Sequence, residues 1–407
     1  MEGLKSWALL TNTITGVAFL SFPFIFERTG WQYGLGTLAL VALLEFISLE
    51  IMAAAWHHSD ISASKHVRII IGGGESGIMR QGTLIWIYDS LVFLSCFGAL
   101  IPFTMTAADG LQGLFLPAYS QASETWFRAV VVIIFALLQF PLSAFVSFKD
   151  QAPTSITSLV ILFIILVFSC AHTVYENSDG FVAFSVAPPP LLNNNVVSVS
   201  AAALSNFFFA FTCQMNAFEA YSLLRTSSSS SHGKQYVVGI WKTTLVNLFA
   251  VLFAALTYGL LGYYVSQDFG EETQTNFLNN YGFNDIFGII LRVMIVLKMF
   301  LTYPIIISPI MNSLPRLREA IGKPLLAFIL MVPASAVAIF VHDLSIVLGF
   351  IGCITEVFIS LALPALIMAH IRRLNMREWY GPIAVLLLVL APFFSLYGIV
   401  GLILTLV

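Results

Sequence analysis

The chain has 407 residues, of which 58% are hydrophobic and only 10% are charged. Because soluble domains carry about 25% charged residues, this composition excludes a soluble globular protein and predicts an integral membrane protein. The formal net charge of −3 gives no reason to expect a nucleic-acid partner. No stretch has room for a soluble catalytic domain, and no nucleophile–base pair stands out, so we do not expect an enzyme.

Apolar stretches long enough to cross a membrane recur along the whole sequence. A bilayer core about 30 Å thick needs roughly 20 helical residues. On that rule the sequence predicts an all-α polytopic membrane protein with eleven transmembrane helices, named here spans 1 to 11. In chain order they are 6–27, 33–56, 82–108, 129–148, 154–174, 198–224, 237–265, 284–313, 323–341, 344–370 and 381–405.

The orientation follows from the distribution of basic residues. Fourteen of the eighteen Lys and Arg residues fall on the side of the N-terminus, and only Arg28 and Arg128 fall on the other side. Positively charged loops stay in the cytoplasm, so the N-terminus is predicted to be cytoplasmic and the C-terminus outside or lumenal. Of the connections, residues 186–197 are predicted to be extended and outside, and residues 226–233 a flexible cytoplasmic linker.

Span 1 concentrates polar and helix-breaking residues in the middle of the membrane. It reads Thr-Asn-Thr-Ile-Thr-Gly over residues 11–16, with a proline at position 23. Gly16 relaxes the backbone and Pro23 removes a helical hydrogen bond. If the helix opens near Gly16, the amides of its second half can bind a carboxylate. A kinked helix with small residues for close packing explains the same pattern.

Span 6 also carries polar side chains at membrane depth. Gln214, Asn216 and Glu219 are costly there unless they find partners. They indicate either a functional site, in which Glu219 pairs with a neighbour or takes up a proton, or hydrogen bonds between helices. Span 6 has neither a proline nor a glycine in its middle, so the sequence predicts its unwinding less firmly than that of span 1.

The motifs of spans 1 and 6 point to a known family. Asn12, Gly16 and Leu20 fit the pattern Asn-x-x-x-Gly-x-Gly-x-Leu, with Ala18 at the second glycine. Residues 209–213 and Tyr221 fit Phe-x-Phe-x-Cys-His-Pro-Glu…Tyr, except that Gln-Met-Asn replaces His-Pro-Glu. These patterns resemble the amino acid/auxin permease family, most closely its sodium-coupled neutral amino acid transporter branch.

Two later segments extend this resemblance. Thr302-Tyr303-Pro304 in span 8 is similar to the family's Thr-x-Pro or Tyr-Pro. Gly349-Phe350-Ile351-Gly352…Pro364 in span 10 is similar to its Gly-x-x-Gly…Pro. No single motif is specific, but the ordered set covers the chain from about Thr11 to Pro364.

The resemblance implies a LeuT-like fold of two inverted five-helix repeats plus one extra helix. In this chain, one transporter domain (1–407) would contain repeat one at about 6–174, repeat two at about 198–370 and the extra helix at about 381–405. The substrate would lie between spans 1, 3, 6 and 8. The substrate contacts implied by the resemblance are Thr15, Gly16, Val17, Ala18, Thr212, Cys213 and Asn216. The side chains expected to give the pocket an apolar character are Phe209, Phe211, Cys213 and Met215.

The coupling ion is open between sodium and a proton. The resemblance implies sodium ligation by Asn12 and Thr302, together with carbonyl groups of span 1. Lys298, however, lies one turn before Thr302 on the same face. Its ammonium group could replace or repel a cation, or exchange a proton. Alternatively, Lys298 could pair with an acid such as Asp89 or Glu356.

Other acids have structural as well as functional interpretations. Glu45 and Glu50 are expected to reach headgroups and basic loops at the inner end of span 2. Asp109 is expected at the outer interface. Asp89 and Glu356 lie deeper, and either could accept a proton.

The sequence therefore predicts a secondary active transporter of amino acids, with neutral ones favoured, coupled to a sodium or proton gradient by alternating access. The alternative is a membrane sensor that binds an amino acid without net transport; such sensors usually carry a cytoplasmic tail. The expected partners are an amino acid, a sodium ion or proton, and the lipid bilayer, with no cofactor beyond a bound sodium ion. The membrane of residence is expected to be the plasma membrane or a vacuolar or lysosomal membrane.

Overall fold

The computed structural model describes residues 2–58, 81–115, 124–145, 147–176, 196–224, 226–230, 233–237, 240–282, 284–372 and 378–406. Nearly all of these residues are helical. The helices, numbered here in chain order, are α1 (Glu2–Ile14), α2 (Phe22–Thr29), α3 (Trp31–His58), α4 (Gln81–Phe115), α5 (Glu124–Phe145), α6 (Ala152–Glu176), α7 (Val196–Phe211), α8 (Gln214–Ser222), α9 (Ile240–Phe269), α10 (Ile286–Ser313), α11 (Pro315–Ile321), α12 (Lys323–Phe340), α13 (Leu344–Ile351), α14 (Leu363–Arg372) and α15 (Tyr380–Leu406).

Nine helical segments of the described chain are long and apolar enough to cross a membrane. They correspond to all the predicted spans except spans 1 and 6. Span 1 is divided between α1 and α2, and span 6 between α7 and α8. Each half is too short to cross a bilayer core alone.

The long helices pack side by side in pairs. Helices α3 and α9 are neighbours, as are α4 and α10, and α5 and α12. Helix α1 packs against α6 and α9, whereas α15 packs on α7 at the periphery. Large apolar side chains such as Leu137, Phe163 and Val389 are more than half exposed on the outer surface. Lipid is the solvent that such a surface requires.

Span 10 is widened in its middle. Between α13 and α14 the backbone forms two consecutive π-helical turns, Gly352–Glu356 and Phe358–Ala362. Such turns are rare inside helices and occur frequently at functional sites. A β-carbon on Gly352 would clash with the backbone carbonyl of Ser205 in α7, so this glycine permits close approach of spans 6 and 10.

Two connections predicted from the sequence have different outcomes. Strands β1 (Thr226–Ser230) and β2 (Gly233–Val237) form an antiparallel hairpin. For the described residues 226–230 and 233, the prediction of a flexible linker was therefore wrong, because backbone hydrogen bonds pair the two strands. The predicted extended connection at 186–197 lies outside the described residues, apart from residues 196 and 197, where the prediction was wrong because they begin α7.

A buried ion pair joins helices at the end of the bundle opposite the β1–β2 hairpin. Arg128 donates to Asp109 at 2.6 Å, and Asn276 donates to the second oxygen of Asp109 at 2.9 Å. Arg128 also donates to the carbonyl of Ala338 at 3.0 Å. Asp109, expected at an interface, is thus a buried structural link between α4, α5 and the loop after α9.

Candidate functional site

Span 1 opens at the residues that the sequence indicated. Helix α1 ends at Ile14, a short 3₁₀ turn covers Ala18–Leu20, and α2 begins at Phe22 with Pro23 in its first turn. At the opening, the Gly16 amide donates to the Ile14 carbonyl at 2.8 Å instead of four residues back. This irregular backbone is buried in protein, which is the condition for its stability at membrane depth.

The carbonyl groups at the end of α1 bind the ammonium group of Lys298. Its Nζ atom donates to the carbonyl of Thr15 at 2.5 Å and to that of Gly16 at 2.8 Å. The same atom lies 5.3 Å from the centroid of the Phe19 ring. Lys298 is completely buried, and no acidic residue among those described bonds to it. The alternative that Lys298 pairs with Asp89 or Glu356 was therefore wrong.

A helix carries partial negative charge at its C-terminal end. The Lys298 ammonium occupies this position at α1. It satisfies two carbonyl groups that would otherwise be buried without partners.

Asn12 and Thr302 belong to a separate polar cluster, on the N-terminal side of the opening in span 1. Asn12 Oδ1 accepts from Thr302 Oγ1 at 3.1 Å and from Ser158 Oγ at 2.9 Å. The Ser158 and Thr302 hydroxyls are also 2.9 Å apart. Ser155 completes the cluster, 3.4 Å from Asn12 Nδ2. The structure thus brings Asn12 and Thr302 together and adds two serines of α6, which our sequence reasoning missed. Their signal was the Pro-Thr-Ser-Ile-Thr-Ser run at the start of span 5.

Span 6 is also interrupted, although its sequence carries no helix breaker. Helix α7 ends at Phe211 and α8 begins at Gln214. The Gln214 side chain accepts from the Cys213 amide at 3.0 Å and donates to Glu45 at 2.7 Å and to Ser48 at 2.9 Å. The side-chain amide of Gln214 and the carboxyl group of Glu45 in span 2 therefore stabilise the free N-terminal end of α8.

One tyrosine joins the two interruptions. The Tyr258 hydroxyl of α9 shares its one proton between the Ile14 carbonyl at 2.7 Å and the Ala210 carbonyl at 3.1 Å. Its ring stacks on that of Phe22, with centroids 4.3 Å apart. The ends of α1 and α7 are therefore fixed to the same side chain.

A narrow cavity lies between the two interruptions. Span 1 contributes Thr13, Ile14, Gly16, Val17 and Ala18, and span 6 contributes Phe209, Ala210, Thr212, Met215 and Asn216. Spans 3, 8 and 10 complete the wall with Ser95, Cys96, Ala99, Phe103, Ile306 and Glu356. The resemblance-derived contacts Gly16, Val17, Ala18, Thr212 and Asn216 thus line one cavity.

Two predicted contacts lie outside this lining. The Thr15 hydroxyl donates back to the Thr11 carbonyl at 2.8 Å. Cys213 is buried behind the interruption of span 6. Phe211, expected in the apolar wall, packs instead edge-on against Tyr258. Ser95 and Phe103 of span 3 were missed because nothing in an apolar helix shows which face turns inward.

The intramembrane acids are distributed differently from the prediction. Glu45 is completely buried against Gln214 and does not reach the headgroups. Glu50 accepts from Thr244 and Asn247 at 2.7 and 2.8 Å. Glu219 accepts from Asn312 at 2.6 Å, away from the cavity. Glu356 is thus the one acid of the described residues that lines the cavity, whereas Asp89 does not.

The sequence matches a family model described as transmembrane amino acid transporter protein over residues 3–404. Among similar proteins, vacuolar amino acid transporter 5 of Schizosaccharomyces pombe is 24% identical over 369 residues, which cover 87% of this chain and 81% of that protein. Solute carrier family 38 member 8 of Mus musculus is 26% identical over 381 residues, covering 88% and 83%.

A solved structure shares the fold. The manganese transporter of Eremococcus coleocola superimposes with a TM-score of 0.62 and 14% identity, covering 98% of this chain and 86% of that one. At this identity the match shows the LeuT-like transporter fold alone.

Proposed function

Because the chain belongs to the transmembrane amino acid transporter protein family, we propose that it is a secondary active transporter of neutral amino acids that works by alternating access. One observation carries the proposal: two interrupted helices meet at one cavity. Interrupted helices that expose backbone groups to a central site are how such carriers bind their solutes.

The cavity suits the two ends of a small neutral amino acid. The turn after Gly16 supplies backbone amides for the carboxylate, at the start of α2. Ile14, Phe103 and Phe209 give most of the wall an apolar character that suits an uncharged side chain. Thr15, although outside the lining, contributes through its carbonyl, which holds Lys298.

The packing pattern supports a two-repeat arrangement. Span 2 neighbours span 7, span 3 neighbours span 8, and span 4 neighbours span 9. Three of the five members of repeat one are therefore paired with their counterparts five spans later. Rocking of one bundle against the other would expose the cavity alternately to the two sides.

A proton is the coupling ion that the contacts of Lys298 favour. Sodium at this opening would need the carbonyl oxygens of span 1, and the ammonium group already binds those of Thr15 and Gly16. A resident cation therefore takes the electrostatic role of a metal ion at the end of α1. The energy for uphill transport then has to come from another ion, and protons are available on both sides of any membrane.

Sodium remains the second candidate because of the cluster around Asn12. Asn12 Oδ1, Ser158 Oγ and Thr302 Oγ1 are three neutral oxygens within about 3 Å of each other, and hard cations prefer oxygen ligands. If sodium is the driver, Thr302→Ala abolishes sodium-dependent uptake. Unchanged uptake and unchanged sodium affinity in that variant would remove Thr302 from the ion site.

The test is transport by the purified chain in proteoliposomes. Radiolabelled alanine, glutamine and leucine are supplied with a pH gradient alone, a sodium gradient alone, or neither. We expect accumulation with the pH gradient and no accumulation with sodium alone. Accumulation driven by sodium alone would reverse the choice of ion. Saturable binding without uptake under any gradient would instead support a sensor.

A further inference from the structure

We propose that Glu356 and Glu45 bind the coupling proton in turn. The proton passes between Glu356 at the cavity and Glu45 in span 2, through the hydroxyl groups of Thr212 and Ser360. The inference rests on the proton-driven transport proposed above. It identifies the groups that would bind the proton, which are distinct from Lys298.

Glu356 is the end of this route at the cavity. Its side chain is 2% exposed and comes from the π-helical part of span 10. Ser95 of α4 donates to Oε1 at 2.6 Å, and the Thr212 hydroxyl lies against the same carboxyl group. The other oxygen, Oε2, is buried without a hydrogen-bond partner among the described residues. A carboxyl group in this position has a free atom on which to hold a proton.

Two hydroxyl groups lead away from Glu356. Thr212 Oγ1 lies 2.7 Å from Ser360 Oγ, and Ser360 lies against the carboxyl group of Glu45. Glu356 and Ser360 are four residues apart in consecutive π-helical turns, so they share one face of span 10. Thr212 belongs to the interruption of span 6. The route therefore crosses the point where both helices depart from regular geometry.

Glu45 is the other end. It is completely buried, accepts from Gln214 at 2.7 Å, and keeps Oε2 without a partner among the residues described. Glu50 follows on the same helix toward the predicted cytoplasmic side. It accepts from Asn247, whose own oxygen accepts from the Tyr221 hydroxyl at 2.8 Å. The polar groups thus continue beyond Glu45 along span 2.

The titratable groups near the two acids are all neutral or anionic. Cys96 lies near Glu356, Cys213 and Tyr221 lie near Glu45, and Glu356 is close enough to affect Glu45. Lys298 is bound to carbonyl groups of span 1. Two buried acids that have no cationic neighbour among the described residues are costly when both are charged. One proton shared between them removes most of that cost.

The transfer balances without any further reactant. The Glu356 carboxyl gives its proton to Thr212 as Thr212 gives its own to Ser360 and Ser360 gives its own to Glu45. Glu356 ends as a carboxylate, Glu45 as a neutral acid, and both hydroxyl groups are restored. Since Thr212 donates to the Phe208 carbonyl at 2.7 Å in this structure, its hydroxyl must rotate for transfer. A movement of span 6 during transport would provide that switch.

The experiment compares pH-driven uptake with exchange in the same proteoliposomes. Exchange of labelled for unlabelled alanine, glutamine or leucine at equal pH on both sides needs substrate movement but no net proton flux. A pH-sensitive dye inside the vesicles reports the proton. The variants are Glu45→Gln and Ser360→Ala, neither of which lines the cavity. The matched controls are Glu219→Gln in α8 and Thr355→Ala, which neighbours Glu356 and bonds only back to the Ile351 carbonyl.

Positioned proton-transfer groups contribute about 10²–10⁴ to rates, so the ratio of pH-driven uptake to exchange should fall at least tenfold in both test variants. The dye signal should fall with it, and the controls should keep the wild-type ratio. A wild-type ratio in Glu45→Gln would overturn the route. If pH-driven uptake and exchange fall by the same factor in both variants, the network has a structural role only. If the wild-type protein exchanges substrate at a rate that does not depend on pH, proton coupling is refuted. If it exchanges none of the probes, transport is refuted.

Discussion

The interruptions of spans 1 and 6 line the same cavity but have opposite electrostatic partners. At span 1 the C-terminal end of α1 meets the Lys298 ammonium. At span 6 the N-terminal end of α8 meets the Gln214 amide and, behind it, the Glu45 carboxyl. Each helix end thus faces the charge that its dipole favours.

The difference shows how one membrane protein can compensate the dipoles of two buried helix ends with side chains. The positive side chain belongs to span 8 and the acid to span 2, so other helices supply the compensation. The span 1 side presents an ammonium group to carbonyl oxygens, whereas the span 6 side carries carboxyl groups. We therefore expect substitutions on the first side to alter ion selectivity, and substitutions on the second to alter coupling and stability.

The largest expected effect comes from removing the cation. Lys298→Met leaves the Thr15 and Gly16 carbonyls buried without partners, which costs about 1–3 kcal/mol for each group. We expect sodium-free uptake to fall more than tenfold, because the end of α1 loses its cation. Since the freed carbonyls lie near the Asn12 cluster, sodium should partly restore uptake.

Uptake against pH, with and without sodium, measures this effect. Lys242→Met, which removes a lysine packed on the Trp241 ring at the surface, is the control. A Lys298→Met protein with an unchanged pH profile and no sodium response would show that the lysine is structural only.

The next effect tests the span 6 side. Gln214→Met keeps the side-chain length but leaves the Cys213 amide without its acceptor and Glu45 without its donor. Loss of these buried hydrogen bonds is expected to lower stability by about 2–4 kcal/mol. Thermal unfolding in detergent measures this, with Gln32→Met in the outer part of α3 as the control. Equal unfolding temperatures for wild type and Gln214→Met would mean that the helix end does not depend on this side chain.

A smaller effect is expected where the two sides are joined. Tyr258→Phe removes the hydroxyl that bonds the Ile14 and Ala210 carbonyls but keeps the ring on Phe22. The expected loss is about 1–3 kcal/mol, since two buried acceptors lose one donor. Unfolding temperature is the measurement, compared with Tyr33→Phe at an exposed position. A stabilised variant would show that the hydroxyl strains the junction.

The smallest effect is expected at Glu219. This acid is half buried, accepts from Asn312, and lies outside both interruptions. Glu219→Gln should change unfolding free energy by no more than about 0.5–1 kcal/mol and leave the driving ion unchanged. Uptake under separate sodium and pH gradients checks this. A change of driving ion would place Glu219 in the coupling mechanism and weaken the contrast between the two sides.

The interruption of span 1 was predictable because glycine and proline act locally. Gly16 and Pro23 change the preferences of their own backbone, and that information needs no neighbours. The interruption of span 6 was not predictable in the same way. Its stability depends on Gln214 reaching Glu45, two residues that are 169 positions apart.

Composition and hydrophobic period by themselves determined a multi-spanning helical protein and its spans, because lipid leaves a backbone no other way to satisfy its polar groups. The motifs of spans 1, 6, 8 and 10 also indicated the family. Only the tertiary structure decided that Lys298 binds carbonyl groups instead of an acid, that Glu356 lines the cavity, and that Ser155 and Ser158 join Asn12. Those contacts depend on which face of each helix turns inward, and an apolar helix in lipid can pack with almost any face, so its sequence alone does not record the choice.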